Sequence, residues 1–423
     1  MDPQEIAVLA ERMTTHFDHF DPSLEHDPYP VYRAIRERCP VPTSENYGGF
    51  KTLLGYQDIC TAATSPQRFV SRHGTTIPWL GNPLPVVPIE SDPPEHMGYR
   101  SLIAPLFAKS RTAALEPTIR RMVSEAVDRF IAVGSADLAA DLAHPIPPVV
   151  LALFIGLPKE DWLDFKDWVE RILSTSAAGD MEGLFAVVGE LLGYFQNWFE
   201  SRRGNPGDDF ATLALEGRLD GRALTPEEML GYAFVLAVAG HETATSGIGN
   251  MLLQLGKHPE VRDQLLADRS LLPRAVEEFL RVDSPITGFA RTVEGEPVSI
   301  GGVTLQPGEK VMLMWGAGNH DERQFPDPDQ IRLDRPTNRH LAFGHGSHRC
   351  LGAPLARLQM RVVLEEVLNR LPDYEITGEV TRSVGMTHGV NSMPVRFTPG
   401  GAGRGSESGT EPAAEPDVAR SPA

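Results

Sequence analysis

Cysteine is almost missing from this sequence. Only Cys39, Cys60 and Cys350 occur in 423 residues, a sparse and odd-numbered set that offers no disulfide framework and suits a reducing cytoplasm. Positive charge is also short. Lys and Arg number 39 against 57 Asp and Glu, and the formal net charge of −18 argues against a nucleic-acid binder. Long apolar runs are absent: the longest, Val149 to Leu157, is far too short to span a bilayer. The opening Met1-Asp2-Pro3-Gln4-Glu5 has no basic or apolar leader region, so a cytoplasmic protein without an N-terminal anchor is expected. No Gly-x-Gly-x-x-Gly lies between a strand and a helix, and no cysteine set could hold an iron–sulfur cluster.

What is present reads as one predominantly helical domain over residues 1–398, with a minor strand component. From residue 399 to 423 the chain turns to Gly, Ala, Ser, Glu and Pro without apolar period, and a disordered tail is expected. The best-marked element starts at Thr225-Pro226-Glu227-Glu228, an N-cap threonine, a proline at the first helical position and a capping-box glutamate. Helix-compatible sequence then runs to about Leu255, where Gly256 and Pro259 are expected to end it. About thirty residues would give roughly 45 Å, enough to cross a domain.

The most informative stretch is Phe343-Gly344-His345-Gly346-Ser347-His348-Arg349-Cys350-Leu351-Gly352. Gly344 and Gly346 let the backbone turn back and come close to a flat ligand. Cys350 stands just before strongly helical sequence, where free N–H groups and the helix dipole favour the thiolate. A thiolate there suits a soft metal, with haem iron the natural candidate; the competing reading is an ordinary buried cysteine. The segment resembles the cysteine-ligand loop of the cytochrome P-450 family, Phe-Gly-x-Gly-x-His-x-Cys-x-Gly, with every fixed position filled.

That resemblance implies a mainly α fold, a triangular helical prism holding haem b between the long helix and the loop, with Cys350 as axial ligand. Ala239 to Thr243, Ala-Gly-His-Glu-Thr, resembles the family's oxygen-binding segment, which makes Glu242 the acid and Thr243 the alcohol of a proton-delivery pair. On its own, His241-Glu242 begins the zinc pattern His-Glu-x-x-His, but Thr245 stands where the second ligand is needed. Glu278 and Arg281 match the family's Glu-x-x-Arg and imply a buried structural clamp, completed by Arg335 or His340. His96, Arg100, Arg291 and His348 would meet the two haem carboxylates, while Ala239, Phe343, Gly344 and Gly352 lie against the cofactor. By position, the substrate wall is Val86, Val87, Leu236, Ala239, Ile286, Thr287, Phe289, Met386 and Thr387. It is mostly apolar, which favours a hydrophobic substrate. Phe289 stands where some relatives place a carboxylate.

The resemblance is to the soluble bacterial, camphor-hydroxylase class, although residues 84–87 offer no tyrosine to hold camphor's ketone. The implied activity is a monooxygenase that inserts one atom of dioxygen into an apolar organic molecule. From Arg335 to Arg361 there are five Arg and no Asp or Glu. Arg349 and Arg357 are therefore expected to face an acidic electron carrier, a ferredoxin or a flavodoxin-like protein. A monomer is expected. A peroxide-driven peroxygenase would lack the Glu242–Thr243 pair. A haem sensor or carrier would add a signalling domain that this sequence does not show.

Overall fold

The computed structural model describes residues 1–78, 84–177 and 179–400. Helices dominate, and most of the apolar core lies among them. Two smaller apolar clusters sit around a five-stranded sheet. That sheet has the order Thr43–Ser44, Phe50–Leu53, Lys310–Met314, Gly288–Val293, Phe69–Val70. Only the pairing of Phe50–Leu53 with Lys310–Met314 is parallel. Side chains alternate along a strand. Phe289 and Arg291 accordingly face a central cavity, while Ala290 between them packs into the core.

The long helix starts as its sequence dictates. Thr225 accepts from the Glu228 amide at 3.2 Å, and the Glu228 carboxylate accepts from the Thr225 amide at 2.8 Å. It is not continuous, however. One helix spans Pro226–Ala239 and a second spans Glu242–Lys257, with Gly240 and His241 between them. At the break the Thr243 hydroxyl donates to the Ala239 carbonyl at 2.8 Å, which diverts that acceptor from the backbone ladder. A Cβ at Gly240 would come 2.9 Å from the Leu151 side chain and 3.1 Å from the Leu236 carbonyl oxygen, so glycine eases the packing there. The far end also differs from expectation. Gly256 lies inside the helix, its bare face pressed on Tyr374, where a Cβ would come within 3.0 Å. His258, held extended before Pro259, ends the helix instead.

Two more helices position the centre of the molecule. Leu272–Val282 buries Leu272, Ala275, Val276, Phe279 and Leu280 on one face, and Glu278 and Arg281, which lie outside that apolar stripe, are buried as well. Ala353–Arg370 follows the cysteine loop directly and packs on Glu242–Lys257. Residues 401–423, most of the expected tail, lie outside the described residues. Among the described residues no helix is long and apolar enough to cross a membrane.

Candidate active site

The cysteine loop is held from both ends by its own backbone. The Gly344 amide donates to Leu341 at 2.8 Å, and the Cys350 amide donates to Phe343 at 2.9 Å. Gly344 and Gly346 both take positive φ, +69° and +73°. Gly346, expected to make room for a ligand, makes room for protein instead: a Cβ there would lie 2.2 Å from the Ala63 carbonyl oxygen. Gly352 caps the helix Ala353–Arg370. The Cys350 sulfur is enclosed by the fold yet open to the cavity. Burial pushes its thiol pKa up. The Gly352 and Ala353 amides pull it down, as do the charges of Arg100 and Arg357. The helix terminus thus favours the thiolate, as the sequence suggested, against the opposing effect of burial, and a cation bound at the sulfur would favour it further.

The cavity above the sulfur measures about 260 Å³. Phe343, Gly344, Cys350 and Gly352 form its floor, and Leu236, Ala239, Gly240 and Thr243 form its roof. One edge is basic. His96, Arg100, Arg291 and His348 all reach it, and no Asp or Glu is among the described residues that line the cavity. Both ring nitrogens of His96 are buried without a hydrogen-bond partner. Its ring lies 4.0 Å from that of His348, whose Nε2 is 3.3 Å from the Ser71 hydroxyl. Arg291 is 5 % exposed and bonds only its own neighbour's carbonyl, at Ala290. Burial lowers His96 to about 4 and Arg291 to about 10. It also lowers His348 to about 2, with the Arg291 charge the next cause. Arg100 donates to the Arg349 carbonyl, but His96 and Arg291 are short of partners, and four bases crowded together in this way are a seat for a dianion. A flat ligand carrying a metal for Cys350 and two carboxylates for this edge fits the residues present.

The expected acid and alcohol face different ways. Thr243 borders the cavity, whereas Glu242 is turned from it, its Oε1 accepting from the Thr387 hydroxyl at 2.5 Å. Burial pushes the Glu242 carboxyl up against the lowering effect of that bond. Of the expected substrate wall, Leu236, Ala239, Ile286 and Phe289 line the cavity. Val86, Val87, Thr287, Met386 and Thr387 do not. Glu90 bonds back to Val86, and the resulting turn sends Val87 into the core and presents Pro88 and Ile89. Thr287 spends its hydroxyl on the Gly385 carbonyl at 2.6 Å, and Met386 packs against the core around the sheet.

Several cavity residues escaped the sequence reading. Leu151 and Phe154 come from the longest apolar run, and the packing of Leu151 on Gly240 and of Phe154 on Phe107 brings that helix to the site. His241, set aside once the zinc pattern failed, is 4 % exposed with both ring nitrogens unpartnered. Burial lowers it to about 4, followed by the charges of His144 and Lys166.

Behind the loop lie two ionic clusters. Glu278 takes Arg281 at 2.7 and 2.9 Å, Arg335 at 2.8 Å, the Arg332 amide at 2.9 Å and Asn338 at 3.0 Å. His340, the other candidate for this cluster, bonds Glu277 instead at 3.2 Å. Glu277 also takes Arg357 at 2.6 and 2.8 Å, and the Arg357 guanidinium stacks 4.4 Å over Phe343. Arg357 was expected to face an electron carrier; its charge is already matched by Glu277. Arg361 is likewise matched by Glu116 and Glu365. Arg349 stays exposed.

Comparison with known proteins agrees with this geometry. Residues 157–372 match the family model described as Cytochrome P450. Cytochrome P450 130 of Mycobacterium tuberculosis is 35% identical over 365 residues, covering 83% of this chain and 89% of that protein. The vitamin D(3) 25-hydroxylase of Pseudonocardia autotrophica is 34% identical over 405 residues, 93% of this chain and 99% of the relative. Among solved structures, cytochrome P450 CYP109Q5 from Chondromyces apiculatus superposes with a TM-score of 0.83 at 32% identity, covering 92% of this chain and all of that one.

Proposed function

Because the chain belongs to the cytochrome P450 family, we propose that Cys350 is the thiolate ligand of its haem and that the cavity above Cys350 is where substrate is oxidised. The protein is a haem b monooxygenase that inserts one oxygen atom into an organic molecule, with electrons from an external carrier. The observation that carries the assignment is the pairing of an open cysteine sulfur with a basic edge that lacks an anionic partner.

When bound, the haem supplies an iron that activates dioxygen, with the thiolate donating electron density to it. The chain's own residues bind, orient and deliver protons. His96, Arg100, Arg291 and His348 would take the two haem carboxylates. Ala239 leaves its upper face free, and Arg357 stacked on Phe343 stiffens the floor. Leu236, Ile286 and Phe289 exclude water and bind apolar surface, which suits a hydrophobic substrate. The Thr243 hydroxyl, parked on the Ala239 carbonyl, hands its proton into the cavity, and the Glu242 carboxyl resupplies it. The presence of this pair favours dioxygen over peroxide as oxidant. On the outer side, of Arg349 and Arg357 it is Arg349 that stays exposed to attract an acidic carrier in the cytoplasm. Residues 1–398 act as one monomeric unit, and Gly400 still bonds it through the Ile131 carbonyl.

The test is spectroscopic. Reduced, haem-loaded protein under carbon monoxide should show the red-shifted Soret band of thiolate ligation, and Cys350→His should lose it. A Cys350→Ser protein that kept the band unchanged would refute the assignment.

A further inference from the structure

The segment between strands Thr381–Arg382 and Val390–Ser392 is built into the molecule on two sides. On one side it lies along a single face of the helix Glu242–Lys257. Thr387 bonds Glu242, Gly389 is so close to Ser246 that a Cβ would lie 2.2 Å from its hydroxyl, and Val390 meets Gly249. These helix positions, four and then three apart, form one stripe. On the other side the same segment is laced to the cavity wall. Ile286 and Thr387 form an antiparallel bridge. The Thr287 amide donates to Met386 at 3.0 Å, and the His388 amide donates to Pro285 at 3.0 Å. Pro285 and Ile286 themselves line the cavity.

We propose that Thr387 is a positioning residue that parks the Glu242 carboxyl away from Thr243 until substrate, pressing on Pro285 and Ile286, shifts the laced segment and frees it. This rests on the reading of Glu242 as the proton source for Thr243. The parked state has a physical basis. Thr387 is 8 % exposed, so no water competes well for its hydroxyl, and the bond to Glu242 is short at 2.5 Å. Only O–H bonds change in the step: Glu242 gives its proton to the Thr243 hydroxyl as that hydroxyl gives up its own, and solvent restores the carboxyl. An empty cavity thus keeps its proton source out of reach, which limits the waste of reductant and dioxygen when no substrate is bound.

Infrared spectroscopy of the full-length haem-loaded protein reads the link directly. The Glu242 carboxyl band is identified by its loss in Glu242→Gln. It should move to higher frequency in Thr387→Val, stay in place in Thr387→Ser, and move toward the Val position when wild-type protein binds a substrate found by spin-state titration. Oxygen uptake without substrate should rise several-fold in Thr387→Val and return to the wild-type rate in Thr387→Ser. An unmoved band in Thr387→Val overturns the proposal, as does a band indifferent to substrate. Unchanged or slower uptake in Thr387→Val, or equal change in Val and Ser variants, overturns it too. Normal product formation by Glu242→Gln would instead sink the reading of Glu242 as proton source, while the band shift would still report the bond to Thr387.

Discussion

Two buried charged clusters lie on either side of the cysteine loop, and they are opposites. Around Glu278 every charge has its partners: four groups donate to one carboxylate, and Arg281 spends its remaining N–H groups on the carbonyls of Asn319, Pro328 and Gln330. At the cavity edge, among the described residues, His96 has no hydrogen-bond partner and Arg291 bonds only a neighbouring carbonyl. Burial is comparable, with Arg281 at 0 % and Arg291 at 5 % exposed. Burial of charge therefore does not separate scaffold from site; satisfaction does. A completed network holds the fold together, whereas an incomplete one costs stability and is retained for what it will bind.

The comparison breaks most visibly at the completed cluster. Arg281→Ala should leave the Glu278 carboxylate buried beside a gap and cost roughly 3–5 kcal/mol in denaturant unfolding. The loss should be the same with and without haem. A soluble Arg281→Ala protein that melts like wild type would show that the cluster is dispensable.

At the incomplete cluster the sign should reverse. Arg291→Met removes a buried cation that makes no salt bridge among the described residues and feels only the more distant charge of Asp92, so the haem-free protein should be as stable as wild type or firmer by roughly 1–3 kcal/mol. Haem should dissociate faster from the same variant. If haem-free Arg291→Met were weakened as much as Arg281→Ala, the edge would be scaffold and the contrast would fail.

The smallest effect is a pH slope. Unfolded histidine takes up its proton near 6.5, whereas folded His96 stays neutral down to about 4. Between those values the unfolded state binds more protons, so the haem-free protein should lose stability as pH falls. His96→Phe should make that slope shallower, as followed by urea midpoints at several pH values, with the buried His348 and His241 supplying what remains. Loading with haem should flatten it too, because the carboxylates favour the charged imidazole.

Local features could be read from the chain, and long-range satisfaction could not. The capping box at Thr225, the glycines at 344 and 346 and the placement of Cys350 before a helix depend on neighbours within a few residues. So does the competition of Thr243 for the Ala239 carbonyl, although its result, two helices where one was expected, was missed. Thr387 is the opposite case. Its hydroxyl was assigned to the substrate wall by position, but its partner is 145 residues away, and nothing in the local sequence says which of the two it will choose. Arg357 likewise read as free charge until the fold set Glu277 beside it.

The seating of Gly346 against the Ala63 carbonyl gives the first part of the chain authority over chemistry three hundred residues downstream. The cysteine loop cannot settle any deeper, because backbone meets backbone there with no side chain to yield. The height of the sulfur below the cavity is thus gauged against the helix Tyr56–Ala63. A chimaera that borrows only the helix Tyr56–Ala63 from a relative inherits that gauge, although no residue of this helix lines the pocket.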